Sequence, residues 1–119
     1  MIRKPEQMTS ETRQNMRGGD GEVTITHYID KDAFAANVRL CAKMTVHPGG
    51  SVGSHQHLKE DEVYIVLSGV GELDDCNTIT PIAAGDAILT GKGQSHAVKN
   101  TGSEPLEIIA MIMCYGEKQ

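Results

Sequence analysis

The feature that most restricts the fold is a rhythm. Apolar residues come in short runs of period two, and each run is closed by Gly, Pro, Asn or Asp after roughly ten residues. The clearest run is NVRLCAKMTV. It sets Val38, Leu40, Ala42, Met44 and Val46 on one side of an extended chain, with Arg39, Cys41, Lys43 and Thr45 on the other. In a strand, where successive side chains point to opposite faces, this buries one face and wets the other. VTITHYI, VYIVLSGVGEL, TITPIAAG, DAILT, SHAVKN and LEIIAMIMCY have the same extended character, while HPGGSVG, DDCN, GKGQ and TGSEP read as the turns between them. Only KDAFAANVR has room for a helical turn. Many short strands at this spacing predict an all-β barrel or sandwich. The 119 residues suffice for one domain with its own core. Residues 1–22, polar and ending in RGGDGE, read as an N-terminal arm or short strand ahead of a barrel over 23–119.

Composition narrows the partners. A net charge of −5 argues against nucleic acid, whose phosphates require a basic face. Phe34, Tyr28, Tyr64 and Tyr115 are the only aromatics, too few for a base-stacking platform. No apolar run approaches the ~18 residues of a membrane span. MIRKPEQMTSETRQNM lacks the apolar centre of a secretory leader, so a cytoplasmic protein with no membrane partner is expected. Cys41, Cys76 and Cys114 form no C-x-x-C pair; Cys41 and Cys114 fall in strand runs as small core residues, and Cys76 falls in a turn.

The chemistry concentrates in GSHQHLKEDEVYIVLSG, residues 53–69. In a strand, His55 and His57 project from one face, roughly 7 Å apart along the rise. A tight turn through LKED would return the chain as EVYIVL and set His57 opposite Glu62 as a cross-strand pair, with Cβ atoms ~5 Å apart. Two imidazoles and a carboxylate facing one another form a first-row transition-metal environment. Glu60 and Asp61 read as solvated turn residues, though either could replace Glu62 if that hairpin shifts register; a one-residue slip would point Asp61 inward. His96, opening SHAVKN just past the GKGQ turn, is the best candidate for a further ligand, with Val98 and Asn100 on its face.

These segments resemble the two motifs of the cupin superfamily. The first is G, five residues, H-x-H, three or four residues, E, six residues, G; it is met by Gly49, His55, His57, Glu62 and Gly69. The second is G, five residues, P-x-G, two residues, H, three residues, N; it is met by Gly85, Gly93, His96 and Asn100, with Gly91 where the family usually has proline. The motifs span 49–69 and 85–100, and the short connection over 70–84 resembles the compact, single-domain, microbial members. The resemblance implies a jelly-roll barrel (a double-stranded β-helix) whose ligands would be His55, His57, Glu62 and His96. They would hold a divalent transition metal (Mn, Fe, Ni or Zn) with two positions of an octahedron open to a small-molecule ligand.

Tyr64 shares parity with Glu62 and should face the interior, as a core tyrosine or, more sharply, as a catalytic proton donor. His27 and His47 read as structural or surface histidines. Arg39 and Lys43 read as solvated, unless their face lines the barrel mouth and holds an anion. Met44, Met111 and Met113 read as core filling. VYIVL and LEIIAMIMC are apolar on both faces, so their outer face needs a cover, and a homodimer is expected. The expected function is a metal-dependent enzyme acting on a small carboxylate, enediol or sugar-like substrate by isomerase, lyase or dioxygenase chemistry. The alternative is a non-catalytic ligand-binding or sensor module.

Overall fold

The structure is a computed structural model that describes residues Met1–Gln119. Ten strands form, and the apolar runs account for all but β1 and β4: β1 Thr9–Gln14, β2 Glu22–His27, β3 Val38–Val46, β4 Ser51–Gln56, β5 Glu60–Ser68, β6 Val70–Asp75, β7 Thr78–Ala83, β8 Ala87–Thr90, β9 Ser95–Asn100 and β10 Leu106–Cys114. They make two antiparallel sheets: six strands in the order β1-β2-β3-β10-β5-β8, facing four in the order β4-β9-β6-β7. This is a jelly roll, as expected. The one helical turn foreseen in KDAFAANVR is a 3-10 turn at Lys31–Ala33.

Alternation decides which side chains meet between the sheets. Val38, Ala42, Met44 and Val46 of β3 are buried, as are Leu106, Ile108, Ala110 and Ile112 of β10 and Glu62, Tyr64 and Val66 of β5. Val52, Leu73, Ile82 and Val98 face them from the other sheet. Fully burying a side chain such as Leu106, at 0 % exposure, contributes about 2 kcal/mol.

Several details differ from the sequence reading. HPGGSVG is not one long turn, because β4 begins at Ser51; Ser51 and Val52 pair with Lys99 and Val98 of β9. The polar segment ahead of the barrel carries β1, which pairs with β2 through facing hydroxyls, Ser10 on Thr26 at 3.0 Å and Thr12 on Thr24 at 2.9 Å. Cys41 and Cys114 are half-buried rather than core, and so are Met111 and Met113, whose odd positions on β10 face away from the sandwich. Cys76 is exposed at the β6–β7 turn, as expected; with Asn77 it takes positive φ (47° and 72°), the pattern of a two-residue hairpin whose twist matches its strands.

Candidate metal centre

The two sheets bring four donors to one point. His55 lies on β4 directly opposite His96 on β9. His57 lies just past β4, its backbone pinned by hydrogen bonds to the 93–94 turn: its N–H donates to the Gln94 carbonyl at 3.0 Å, and its carbonyl accepts from Gly93 N–H at 2.9 Å. Glu62 comes from β5 in the other sheet. The expected hairpin between His57 and Glu62 does not exist, because Leu58 and Lys59 carry the chain across from one sheet to the other. The two side chains meet face to face between the sheets, with Nε2 and Oε1 3.0 Å apart. Ligand atoms of His55, His57, Glu62 and His96 all lie within 4.8 Å of one another.

Proton positions show what this cluster can hold. His55 Nδ1 sits 2.8 Å from the Gly53 carbonyl and His57 Nδ1 sits 3.0 Å from Glu60 Oε2. Both partners can only accept, so both Nδ1 atoms carry the hydrogen and a neutral ring leaves its Nε2 as a bare lone pair. His96 Nδ1 is 2.9 Å from the Thr90 hydroxyl. The Nε2 atoms of His57 and His55 are each 3.0 Å from that of His96, and Glu62 Oε1 is 2.9 Å from His96 Nε2. That carboxylate oxygen is buried without a hydrogen-bond donor of its own. Lone pairs facing lone pairs in a dry interior repel. A divalent cation at their centre removes the repulsion, and the donor set, three imidazoles and a carboxylate, suits a first-row transition metal.

The neighbours tune each group. Burial pushes the Glu62 carboxyl up, but when the facing imidazoles carry protons on Nε2 they outweigh it and hold it well below the usual range. Glu62 raises the pKa of His57, burial opposes this, and Glu60 adds to the rise from the Nδ1 side. His96 has only a neutral hydroxyl at Nδ1, so burial prevails and its pKa is lowered. Tyr64, 2 % exposed, stacks on His96 with ring centroids 4.8 Å apart, and burial followed by the Glu62 charge pushes its phenol well above the ordinary value.

A cavity of about 100 Å³ opens from the cluster, lined by His55, His57, Glu62 and Tyr64 at its base and by Glu11, Arg13, Arg17, His27 and Arg39 at its mouth. A wider depression of about 290 Å³ on the outer face of the four-stranded sheet, beside Glu72, Ile79 and Lys99, includes none of the four donors.

Several residues behave otherwise than expected. Glu60 is not a solvated turn residue: it begins β5 with the parity of Glu62, and it accepts from both His57 and Arg39, the latter at 2.7 Å. Burial raises its carboxyl, but hydrogen bonds from Arg39 and His57 prevail and lower it. Asp61 instead accepts from the Tyr115 hydroxyl at 2.6 Å. The departure at Gly91 is explained there, since a Cβ at 91 would overlap the Asp61 carboxylate. Arg39 is tied to Glu60 at the mouth, whereas Lys43 pairs with Glu107 at 2.9 Å away from the cavity. His27 lines the mouth, 3.6 Å from Glu11, and His47 is structural, 2.8 Å from the Thr24 hydroxyl. The motif residue Asn100 donates to the Val46 and Glu104 carbonyls, both at 2.8 Å, and ties β9 to its neighbours.

Sequence reasoning missed Arg17 and Thr90, and it weighed Glu60 only as a turn residue or a substitute for Glu62. Arg17 has φ 55° and ψ 28°, a left-handed conformation that costs a non-glycine residue about 1 kcal/mol. Its loop lies directly on β4, where a Cβ at Gly53 would overlap the Arg17 carbonyl oxygen. The MRGG stretch was the available signal, because glycine-rich turns permit such an approach.

Comparison with known proteins agrees with this architecture. The cupin domain model matches residues 42–112. The chain belongs to the cupin family. An oxalate-binding protein of Thermotoga maritima is 42% identical over 113 residues, covering 95% of this chain and 93% of that one. A crystal structure from the same organism, described as a predicted oxalate decarboxylase, superposes with a TM-score of 0.91 at 42% identity, covering 96% of this cupin and 99% of that chain. A putative sugar phosphate isomerase from Acidithiobacillus ferrooxidans is more distant, with a TM-score of 0.65 at 27% identity over 76% of this chain and 59% of the other. No helix is long and apolar enough to cross a membrane.

Proposed function

We propose that this cupin holds a divalent transition metal through His55, His57, Glu62 and His96 and binds a small carboxylate of the oxalate class beside it. The observation that carries the reading is the convergence of bare Nε2 atoms on a buried carboxylate oxygen. Cavity size narrows the ligand. At about 100 Å³ it falls well below the ~300 Å³ at which pockets begin to hold larger organic ligands, which favours a small acid over a sugar. The name of the Thermotoga maritima oxalate-binding protein points the same way.

The bound metal would act as a Lewis acid on the carboxylate. Glu60 and Glu62 are both held ionised, so neither supplies a proton at neutral pH. Tyr64 stays protonated and is the residue that would donate to the bound acid or to a lyase product. Ligand binding without turnover is the second reading. It is favoured by Glu60 and Glu62 both being held ionised beside the donors.

The test is elemental analysis of untagged protein beside His57→Ala and His27→Ala, followed by incubation of metal-loaded protein with oxalate. Stoichiometric metal lost only in His57→Ala, with oxalate binding and release of CO2 and formate, supports the lyase; binding without product selects the second reading. No metal uptake by the wild type overturns both.

The outer face of β5, β8 and β10 supports a homodimer. Met111, Val63 and Leu89 form one cross-strand row and Ile109 and Ile65 the next, with Leu89 65% and Ile65 40% exposed. A second copy covering this apolar face predicts a dimer by light scattering that Leu89→Glu dissociates. Three unpaired thiols fit the reducing cytoplasm.

A further inference from the structure

The chain has four arginines, and their partners differ. Arg3 pairs with Asp30 at 3.5 Å, Arg13 with Glu11 at 2.9 Å, and Arg39 with Glu60 at 2.7 Å. Arg17 alone makes no salt bridge or side-chain hydrogen bond, yet it lines the cavity that opens from the histidine cluster.

The backbone around Arg17 is tightly held. Asn15 N–H donates to the Gly21 carbonyl at 3.0 Å, and its side-chain amide donates to the Gly19 carbonyl at 3.1 Å. Gly18 and Gly19 N–H close the turn onto Asn15 and Met16 at 3.0 and 2.9 Å. Asp20 and Ser51 then exchange two hydrogen bonds of 2.8 Å, stapling the loop to β4. The turn fixes where the Arg17 side chain starts, at the rim of the cavity, and with no carboxylate of its own its guanidinium is available to an external anion.

We propose that Arg17 is a specificity-determining residue: its guanidinium takes the second carboxylate of a small dianion whose other oxygens are held at the His55, His57, Glu62 and His96 cluster. This rests on the reading that the site binds a small carboxylate. Arg13 and Arg39 do not serve the same purpose, because Glu11 and Glu60 already neutralise them. Arg17 and the cluster line one cavity of only about 100 Å³, which suits a two-carbon or three-carbon dianion and leaves a monoanion of the same shape without its second partner.

Oxalate and oxamate test this, since they share a shape and differ by one charge. Calorimetry on manganese-loaded protein is expected to show wild type preferring oxalate by at least about tenfold. Arg17→Gln should lose oxalate affinity about 10- to 100-fold, the range for one charge-assisted contact, and keep oxamate affinity within about twofold. Arg17→Lys should retain part of the preference. Manganese content should be equal in all three proteins. If Arg17→Gln keeps the oxalate preference, or changes manganese content, the role of Arg17 is overturned while carboxylate binding stands. Wild-type protein that binds the two anions equally also removes Arg17. Wild-type protein that binds neither overturns the carboxylate reading along with it.

Discussion

Glu60 offers a direct test of how the site is assembled. Its Oε2 accepts from His57 Nδ1 at 3.0 Å and from Arg39 at 2.7 Å, so it fixes the tautomer that bares His57 Nε2 toward the cluster and makes that imidazole a stronger donor. Outer partners of this kind are worth about 10- to 100-fold in metal affinity, or about 1.4–2.7 kcal/mol. Glu60→Gln keeps an acceptor and removes the charge, so it belongs at the lower end, near tenfold. Glu60→Ala removes both and also leaves Arg39 unpaired, so it belongs at the upper end. The assay is competition for Zn²⁺ or Mn²⁺ against a chromophoric chelator. Glu107→Gln, which unpairs Lys43 away from the cavity, serves as control and should change nothing. Urea unfolding of the metal-free proteins separates affinity from stability: the partly exposed Arg39–Glu60 pair should contribute under about 1 kcal/mol there. If both Glu60 variants bind metal within about twofold of wild type, Glu60 does not orient His57 and the tautomer argument fails.

Other outcomes are equally specific. Metal and protons compete for the same Nε2 lone pairs, and His57 has the raised pKa, so acidification should protonate it first and release metal below roughly pH 6. Full occupancy at about pH 4 would exclude a histidine site. In metal-free protein the depressed Glu62 carboxyl contributes stability above its ordinary unfolded pKa, and this is lost as pH falls; denaturant titrations below about pH 5 should show the decline. Leu106→Ala should cost about 2–5 kcal/mol by urea unfolding, because Leu106 is 0 % exposed on β10 between β3 and β5. Tyr64→Phe should leave metal content unchanged; if the protein turns over oxalate, it should abolish product release by removing the phenolic proton.

Much of this was legible along the chain because it is governed by local rules. Alternation reports which side of a strand is wet, so the parity of Val38–Val46 and of Glu62–Tyr64–Val66 predicts the buried faces. Turn residues mark the strand ends, and the histidine spacings point to the candidate donors. Alternation does not say which sheet a strand joins. A hairpin between His57 and Glu62 is the natural local solution, and it fails because β4 pairs with β9 while β5 pairs with β10 and β8.

What the sequence determined by itself, then, is period and spacing: an all-β chain with four candidate donors aimed inward. The tertiary structure decided which strands face one another, and through that the contacts between residues far apart in the chain. Glu60 at the back of His57, Thr90 behind His96 and Arg17 over the cavity all depend on packing across sheets. No residue's local preference encodes such a contact. It exists only once the two sheets close and the Arg17 turn comes to rest against Gly53 of β4.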